Sequence, residues 1–294
     1  MTAGEPIPAG EPIPAVVAAV PAVVAAVPSI VESVVPLTVG AERLPISFSL
    51  HGDTSGEILV EPVIAVLLRC TDGPRLLDTG INTALVRDPW LYRRLHGRNH
   101  SIVPLLPEGV DEPLLAALAG HGVEPEDLVD VFLSHLHNDH AGGLRLLPRR
   151  IPVHVQRREL EYGLSGHPFP ERHGMFRVDF DDPEIDWRLV DGDTELVPGV
   201  TGLLSAGHTP GHQSFAVRTR AGDGYLFAFD AADLQRNIDE ETGPGGFVHC
   251  TPDVPLAALI RLKQIADRDG LRLLPGHDPH VWPAFTAELL GPPA

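Results

Sequence analysis

The stretch VDVFLSHLHNDHAGG, Val129 to Gly143, opens as an apolar run broken only by Asp130 and passes into a cluster of chemically loaded side chains. Val129 to Leu133 has the composition of a buried strand. The chain then passes directly into Ser134-His135-Leu136-His137-Asn138-Asp139-His140, with Gly142 and Gly143 behind it. If the loop is locally extended, His135 and His137 point the same way, while Asp139 and His140 can face a neighbouring ion. A tetrahedral zinc takes three or four protein ligands, and a catalytic one keeps a position open for water. The cluster alone is too small for two such sites. Further along, three more donors follow predicted strands: His212 in Gly207-His208-Thr209-Pro210-Gly211-His212, Asp230, and His277 in Gly276-His277-Asp278. Together His135, His137, Asp139, His140, His212, Asp230 and His277 exceed what one catalytic ion uses, so two metals are implied.

Outward from this cluster the chain alternates between short β-rich runs and helical ones. Strands are predicted at Ile58 to Arg69, Arg75 to Leu77, Pro152 to Val155, Val200 to Leu204, Ser214 to Arg218, Tyr225 to Phe229 and Leu271 to Leu274. Asp111 can cap a helix with Leu114, Leu115 and Leu118 on its apolar face, ending near Gly120 and Gly122. Asp253 and Pro255 open another, with Leu256, Leu259, Ile260 and Ile265 inward and Gly270 closing it. The loaded residues fall just after strands, where loops held by a rigid sheet carry function.

Residues 41–294 show no second shift in composition and read as one catalytic domain. Residues 1–40 differ. Ala3 to Pro8 (AGEPIP) repeats as Ala9 to Pro14, and Ala15 to Pro21 (AVVAAVP) repeats as Ala22 to Pro28. Proline at that spacing interrupts any helix, and no run reaches the roughly 18–20 apolar residues of a membrane span. The first Lys or Arg is Arg43, so a secretory signal lacks its basic region. This segment is expected to be a disordered or loosely packed tail, with surface association through its Val/Ala runs as the alternative.

A formal net charge of -18, from 22 Lys plus Arg against 40 Asp plus Glu, repels phosphate backbones and argues against nucleic acid as a partner. Cys70 and Cys250 share no metal or disulfide spacing and read as reduced thiols, which points to the cytoplasm. Self-association into a homo-oligomer is left open.

The His-x-His-x-Asp-His cluster, the Gly-His-Thr-x-Gly-His turn, the isolated Asp230 and the late Gly276-His277 resemble, in order, the motifs of the metallo-β-lactamase superfamily. The resemblance spans roughly Ser47 to His280. It implies an αββα sandwich of two mixed sheets flanked by helices. It implies one metal on His135, His137 and His212, a second on Asp139, His140 and His277, and Asp230 bridging them. Asp78 matches a structural position and is not a ligand. The expected cofactor is two Zn2+ per chain, although imidazole and carboxylate donors suit other divalent metals too. Two such ions can lower the pKa of a shared water from 15.7 toward about 7. The resulting hydroxide attacks an ester-like carbonyl, and Asp139 is placed to relay a proton to the leaving group.

Within the superfamily, Asp230 to Gly246 and Thr79-Gly80-Ile81-Asn82 resemble the N-acyl homoserine lactonase branch, which implies a small lactone or ester as substrate. Many of those enzymes carry a tyrosine three residues after the bridging aspartate, where this chain has Asp233. The runner-up is a glyoxalase II-like thioesterase. A rival of another class is a persulfide dioxygenase with a single iron.

Other residues carry less. His208 is expected to brace the turn, or to touch a ligand from behind. His154 reads as a strand face residue, and His51, His96, His100, His121, His167, His173, His249 and His280 as surface polar groups. Trp90, Tyr92, Phe169, Met175, Phe176 and Phe247 are candidates for an apolar wall around an acyl chain, or for packing under long loops.

Overall fold

The computed structural model describes residues 28–97, 101–246 and 250–290. Seven strands form the first sheet: β1 (Val31–Pro45), β2 (Ile58–Cys70), β3 (Arg75–Leu77), β4 (Val103–Leu105), β5 (Asp130–Phe132), β6 (Pro152–Gln156) and β7 (Asp186–Val190), in the order β4-β1-β2-β3-β5-β6-β7. Five form the second: β8 (Thr194–Val197), β9 (Val200–Leu204), β10 (Gln213–Arg218), β11 (Gly224–Phe227) and β12 (Arg272–Leu274), in the order β12-β11-β10-β9-β8. Both are mixed. β3, β5, β6 and β7 run parallel to one another, and β12 is parallel to β11.

Side-chain alternation on the strands explains the layering. Ile64, Val66 and Leu68 on β2 face the second sheet and pack with Phe215, Val217 and Phe227. Val63, Ala65 and Leu67 face the other way, beneath Leu114 and Leu118 of the helix Pro113–Gly120. On the far side of the second sheet, Leu203, Ala216 and Leu226 meet Leu259, Leu262 and Ile265 of the helix Asp253–Asp269. Three apolar layers between two sheets and two helical coats make the αββα sandwich.

Three local expectations change. The predicted tail ended at residue 40, yet Val31–Gly40 belongs to β1, where Val31, Val34, Val35, Leu37 and Val39 are buried. Pro36, read as an interrupter, pairs with Val66, while β4 pairs β1 only over Ala41–Arg43. Its missing N–H therefore costs no ladder bond on that side. Residues 1–27 lie outside the described residues, as do Phe247, His100 and His249. The helix expected to be capped by Asp111 starts at Pro113 after Glu112, without a side-chain cap, because proline already occupies the first turn. Its Leu115 is only half-buried, as are Leu256 and Ile260 of the later helix, whose inner face uses Leu262 and Ala266 instead. Among the described residues no helix is long and apolar enough to cross a membrane.

Candidate metal centre

The donors collect at the ends of β5, β11 and β12 and in the β9–β10 turn, beside the loop after β3. β5 stops at Phe132, and the motif turns into the short helix Asn138–Ala141. Its glycines allow that turn. A Cβ on Gly142 would lie 2.2 Å from the Asn82 nitrogen, and one on Gly143 2.2 Å from the Thr79 oxygen, so the motif lies backbone to backbone on the loop after β3. Asp78 on that loop takes φ 57 and Phe229, just before Asp230, takes φ 47, a region side chains other than glycine rarely adopt. The second bend ends β11 at Phe227, short of the predicted Phe229, and turns Asp230 toward the histidines.

Two groups of donor atoms result, each within 4.8 Å: His135, His137, His208 and Asp230, and Asp139, His140 and His277. Asp230 spans them. Its Oδ1 lies 3.1 Å from His140 Nε2 and 3.0 Å from His277 Nε2, and its Oδ2 lies 3.6 Å from His135 Nε2. In four of the rings the second nitrogen is anchored by a group outside the cluster. Asp78 Oδ2 lies 2.7 Å from His140 Nδ1, Ser134 Oγ 2.9 Å from His135 Nδ1, Ser205 Oγ 2.8 Å from His212 Nδ1, and the Pro62 carbonyl 3.0 Å from His277 Nδ1. Such anchors fix ring orientation and aim Nε2 inward.

The Nε2 atoms of His135, His140 and His212 are buried without a hydrogen bond. An unpaired buried polar atom costs about 1–3 kcal/mol, and three of them converging beside two carboxylates fit divalent cations as the missing partners.

The two groups differ in charge. Burial drives His135 well below the ordinary imidazole value, His137 to about 4 and His212 to about 3. Burial also pushes His140 and His277 down, but Asp139, Asp230 and Asp78 around the first, and Asp230 around the second, outweigh it and raise both well above the ordinary value. Burial raises the Asp139 carboxyl, yet the charge of His140 prevails and holds it at about 2.

His208 sits closer than its expected bracing role: its Nε2 is 2.8 Å from His137 Nδ1 and 3.1 Å from Asp230 Oδ2. His212, in turn, packs its ring 5.1 Å from that of His135. A cavity of about 130 Å³ opens over the centre, lined by Leu44, Phe48, Leu95, Ile102 and Phe176, with Glu42, Glu61 and Asp233 on its wall. Of the described wall candidates only Phe176 lines it; Met175 is buried in the core and Trp90 is exposed. His96, expected at the surface, is buried against Phe176.

Glu42 and Glu61 had no signal in a linear reading, because their meeting depends on register: they are cross-strand partners on β1 and β2. Burial pushes Glu61 up to about 7, and Asp233, whose Oδ1 is buried without a partner, is raised well above the ordinary value by burial and by Asp230.

The family model of the Metallo-beta-lactamase superfamily matches residues 60–277. The chain belongs to this superfamily. Within the superfamily it is 32% identical over 225 residues to an N-acyl homoserine lactonase of Bacillus thuringiensis, covering 76% of this chain and 84% of that one. It is 33% identical over 232 residues to the N-acyl homoserine lactonase AttM of Azorhizobium caulinodans, with the same coverages. A solved N-acyl homoserine lactone hydrolase, with N-hexanoyl-L-homoserine bound at its catalytic metal centre, superposes with a TM-score of 0.73 at 32% identity, covering 85% of this chain and 94% of that one.

Proposed function

We propose that this protein is a dinuclear metal-dependent hydrolase that opens the ring of N-acyl homoserine lactones, an activity that quenches quorum signalling. The observation that carries the reading is the pair of donor groups converging on Asp230 beneath a cavity walled by both apolar and acidic side chains. The likeness to N-acyl homoserine lactonases supports the substrate.

We assign His135, His137 and His212 to one ion, Asp139, His140 and His277 to the other, and Asp230 to both. His212 is preferred over His208 because its Nε2 is buried with no hydrogen bond, whereas His208 Nε2 already meets His137 and Asp230. The donor set suits zinc. Two divalent cations held there supply Lewis acidity and a water acidified toward neutrality. The chain's own groups supply the rest. Asp139, held ionised, lines the cavity and can take a proton and return it to the leaving ring oxygen. Asp233, pushed toward its protonated form, can donate to the lactone carbonyl as tyrosine does in related enzymes. Leu44, Phe48, Leu95, Ile102 and Phe176 hold the acyl chain.

The thioesterase reading loses support at this wall. Glutathione brings carboxylates, and the cavity sets Glu42, Glu61 and Asp233 against a single arginine, Arg172, among its described lining residues, while Arg261, Lys263, Arg268 and Arg272 pair with Asp193, Glu241, Asp269 and Glu288. A single-iron dioxygenase leaves the second donor group unused. The free thiols Cys70 and Cys250 support a reducing, cytoplasmic setting.

The test is a side-by-side assay of an N-acyl homoserine lactone, a glutathione thioester and a β-lactam, with metal content measured on the same sample. The lactone should be cleaved fastest, with about two metal equivalents bound. Thioester cleavage exceeding it tenfold, about 1.4 kcal/mol of transition-state binding, overturns the assignment.

A further inference from the structure

Glu159 lies in the helix Arg157–Gly163 that follows β6, with its side chain wholly buried and outside the residues that line the cavity. Its Oε1 accepts from the Leu136 backbone N–H at 3.1 Å, and Leu136 stands between His135 and His137. Its Oε2 accepts from Thr209 Oγ1 at 2.7 Å and from the Gly211 backbone N–H at 2.9 Å, and those residues stand between His208 and His212. The contact is close along the backbone too: a Cβ on Gly211 would lie 2.3 Å from the Glu159 nitrogen, so only glycine lets the turn seat on this helix. One carboxylate therefore joins the two loops that carry His135, His137 and His212. Its bonds meet the segment of Asp139 and His140 only upstream, at Leu136, and none reaches Asp139, His140 or the loop of His277.

We infer that Glu159 is a positioning residue that sets the spacing of the His135, His137 and His212 half of the centre and leaves the other half untouched. The inference rests on the dinuclear reading above. Burial pushes the Glu159 carboxyl up to about 7 against the three bonds that favour its ion, and above that pH three donors on one acceptor-only carboxylate form charge-assisted bonds, which are shorter and stronger than neutral ones. A glutamine keeps the shape but offers one acceptor oxygen, and its NH2 must face one of the donors. The loops then separate at Leu136 or at the Thr209 turn, and the imidazoles between them lose their common focus.

The test uses purified full-length protein loaded with zinc and then dialysed against a graded chelator, with a parallel Co2+-loaded sample read by visible absorption. Wild type should retain two equivalents. Glu159→Gln should retain one, with the other weakened by roughly 10–100-fold, the usual cost of losing a group behind a metal ligand. Thr209→Val, which removes one bond of the three and keeps the carboxylate, should weaken the same ion by a smaller factor. Adding Glu159→Gln to His137→Ala should change metal retention no further, whereas adding it to His277→Ala should abolish it. Equal loss from both halves, or two equivalents held at wild-type affinity in Glu159→Gln, overturns the inference. A wild type holding a single equivalent removes the dinuclear reading instead; the role of Glu159 then survives if Glu159→Gln weakens that ion and falls if it does not.

Discussion

The two halves of the centre, which share Asp230, differ in composition and in state of charge. The half of His135, His137 and His212 consists of imidazoles that burial keeps neutral, anchored by the hydroxyls of Ser134 and Ser205. The half of Asp139, His140 and His277 is ion-paired, with protons held on both imidazoles by Asp139, Asp230 and Asp78. The first is ready to accept a cation, whereas the second must release protons to do so. Their supports differ as well. The neutral half hangs between the two sheets, on the β5 loop and the β9–β10 turn, while His277 is tied to the Pro62 carbonyl on β2, the strand that β1 braces through Ala41.

The largest effect should come from removing the buried first two thirds of β1, Val31 to Gly40. Deleting residues 1–40 takes away Val31, Val34, Val35, Leu37 and Val39, five buried side chains worth about 1.5–3 kcal/mol each, a sum comparable with the whole stability of a domain. The truncated chain should fail to melt cooperatively with or without zinc. A cooperative melt within a few degrees of the full chain would show β1 to be dispensable.

Next in size is Asp230→Ala, which removes the one side chain shared by both halves. Metal content should fall below one equivalent and lactone hydrolysis by more than two orders of magnitude, beyond the roughly 10–100-fold cost of changes behind the ligands. Retained turnover in a metal-replete sample would take Asp230 out of the bridge.

A milder perturbation, pH, should separate the halves without mutation. Imidazoles titrating at about 4 and about 3 leave the affinity of the first half flat above roughly pH 5. His140 and His277 sit above the ordinary value in the metal-free protein, so protons compete there as pH falls. Affinity in that half should drop by up to about tenfold per pH unit for each proton displaced. Calorimetric titration with zinc across pH 6 to 8, in buffers of different ionisation heat, should give proton release confined to one of two binding events. Equal release in both would erase the distinction.

How much of this was readable in the chain follows from how local each feature is. His135, His137, Asp139 and His140 lie within six residues, so their meeting needs only one turn, and Asp230 and His277 stand at the ends of strands whose apolar runs are plain. β1 was hidden because Pro28 and Pro36 continue the rhythm of the preceding repeats, and only pairing with β2 shows that Pro36 is tolerated. The choice between His208 and His212, four residues apart in one turn, depends on side-chain direction, which spacing does not supply. Glu159 is separated from Leu136 by 23 residues and from Gly211 by 52, and the wall of Glu42 and Glu61 exists only through strand register.

The smallest expected effect concerns Asp233 and bears on how the ion-paired half handles the substrate. Asp233 accepts the His277 backbone N–H through its own carbonyl at 2.8 Å, while its side-chain Oδ1 is buried without a partner beside the cavity. Burial, then the charges of Asp230 and Glu61, raise its carboxyl, which favours the protonated form, and only that form can donate to a carbonyl. The sign follows: the donor is present below the raised pKa and is lost as pH climbs through it, so lactone kcat/KM should fall on the alkaline side. Asp233→Asn keeps a donor that does not titrate. It should hold kcat/KM within about tenfold of wild type, or 1.4 kcal/mol, and flatten the alkaline limb, while Asp233→Ala should fall further at every pH. Asp233→Tyr, restoring the donor of related lactonases, should match or exceed wild type. If the asparagine variant is as impaired as alanine and the alkaline limb survives in both, the carboxyl acts as an anion, and the carbonyl must be held by some other group on the cavity wall.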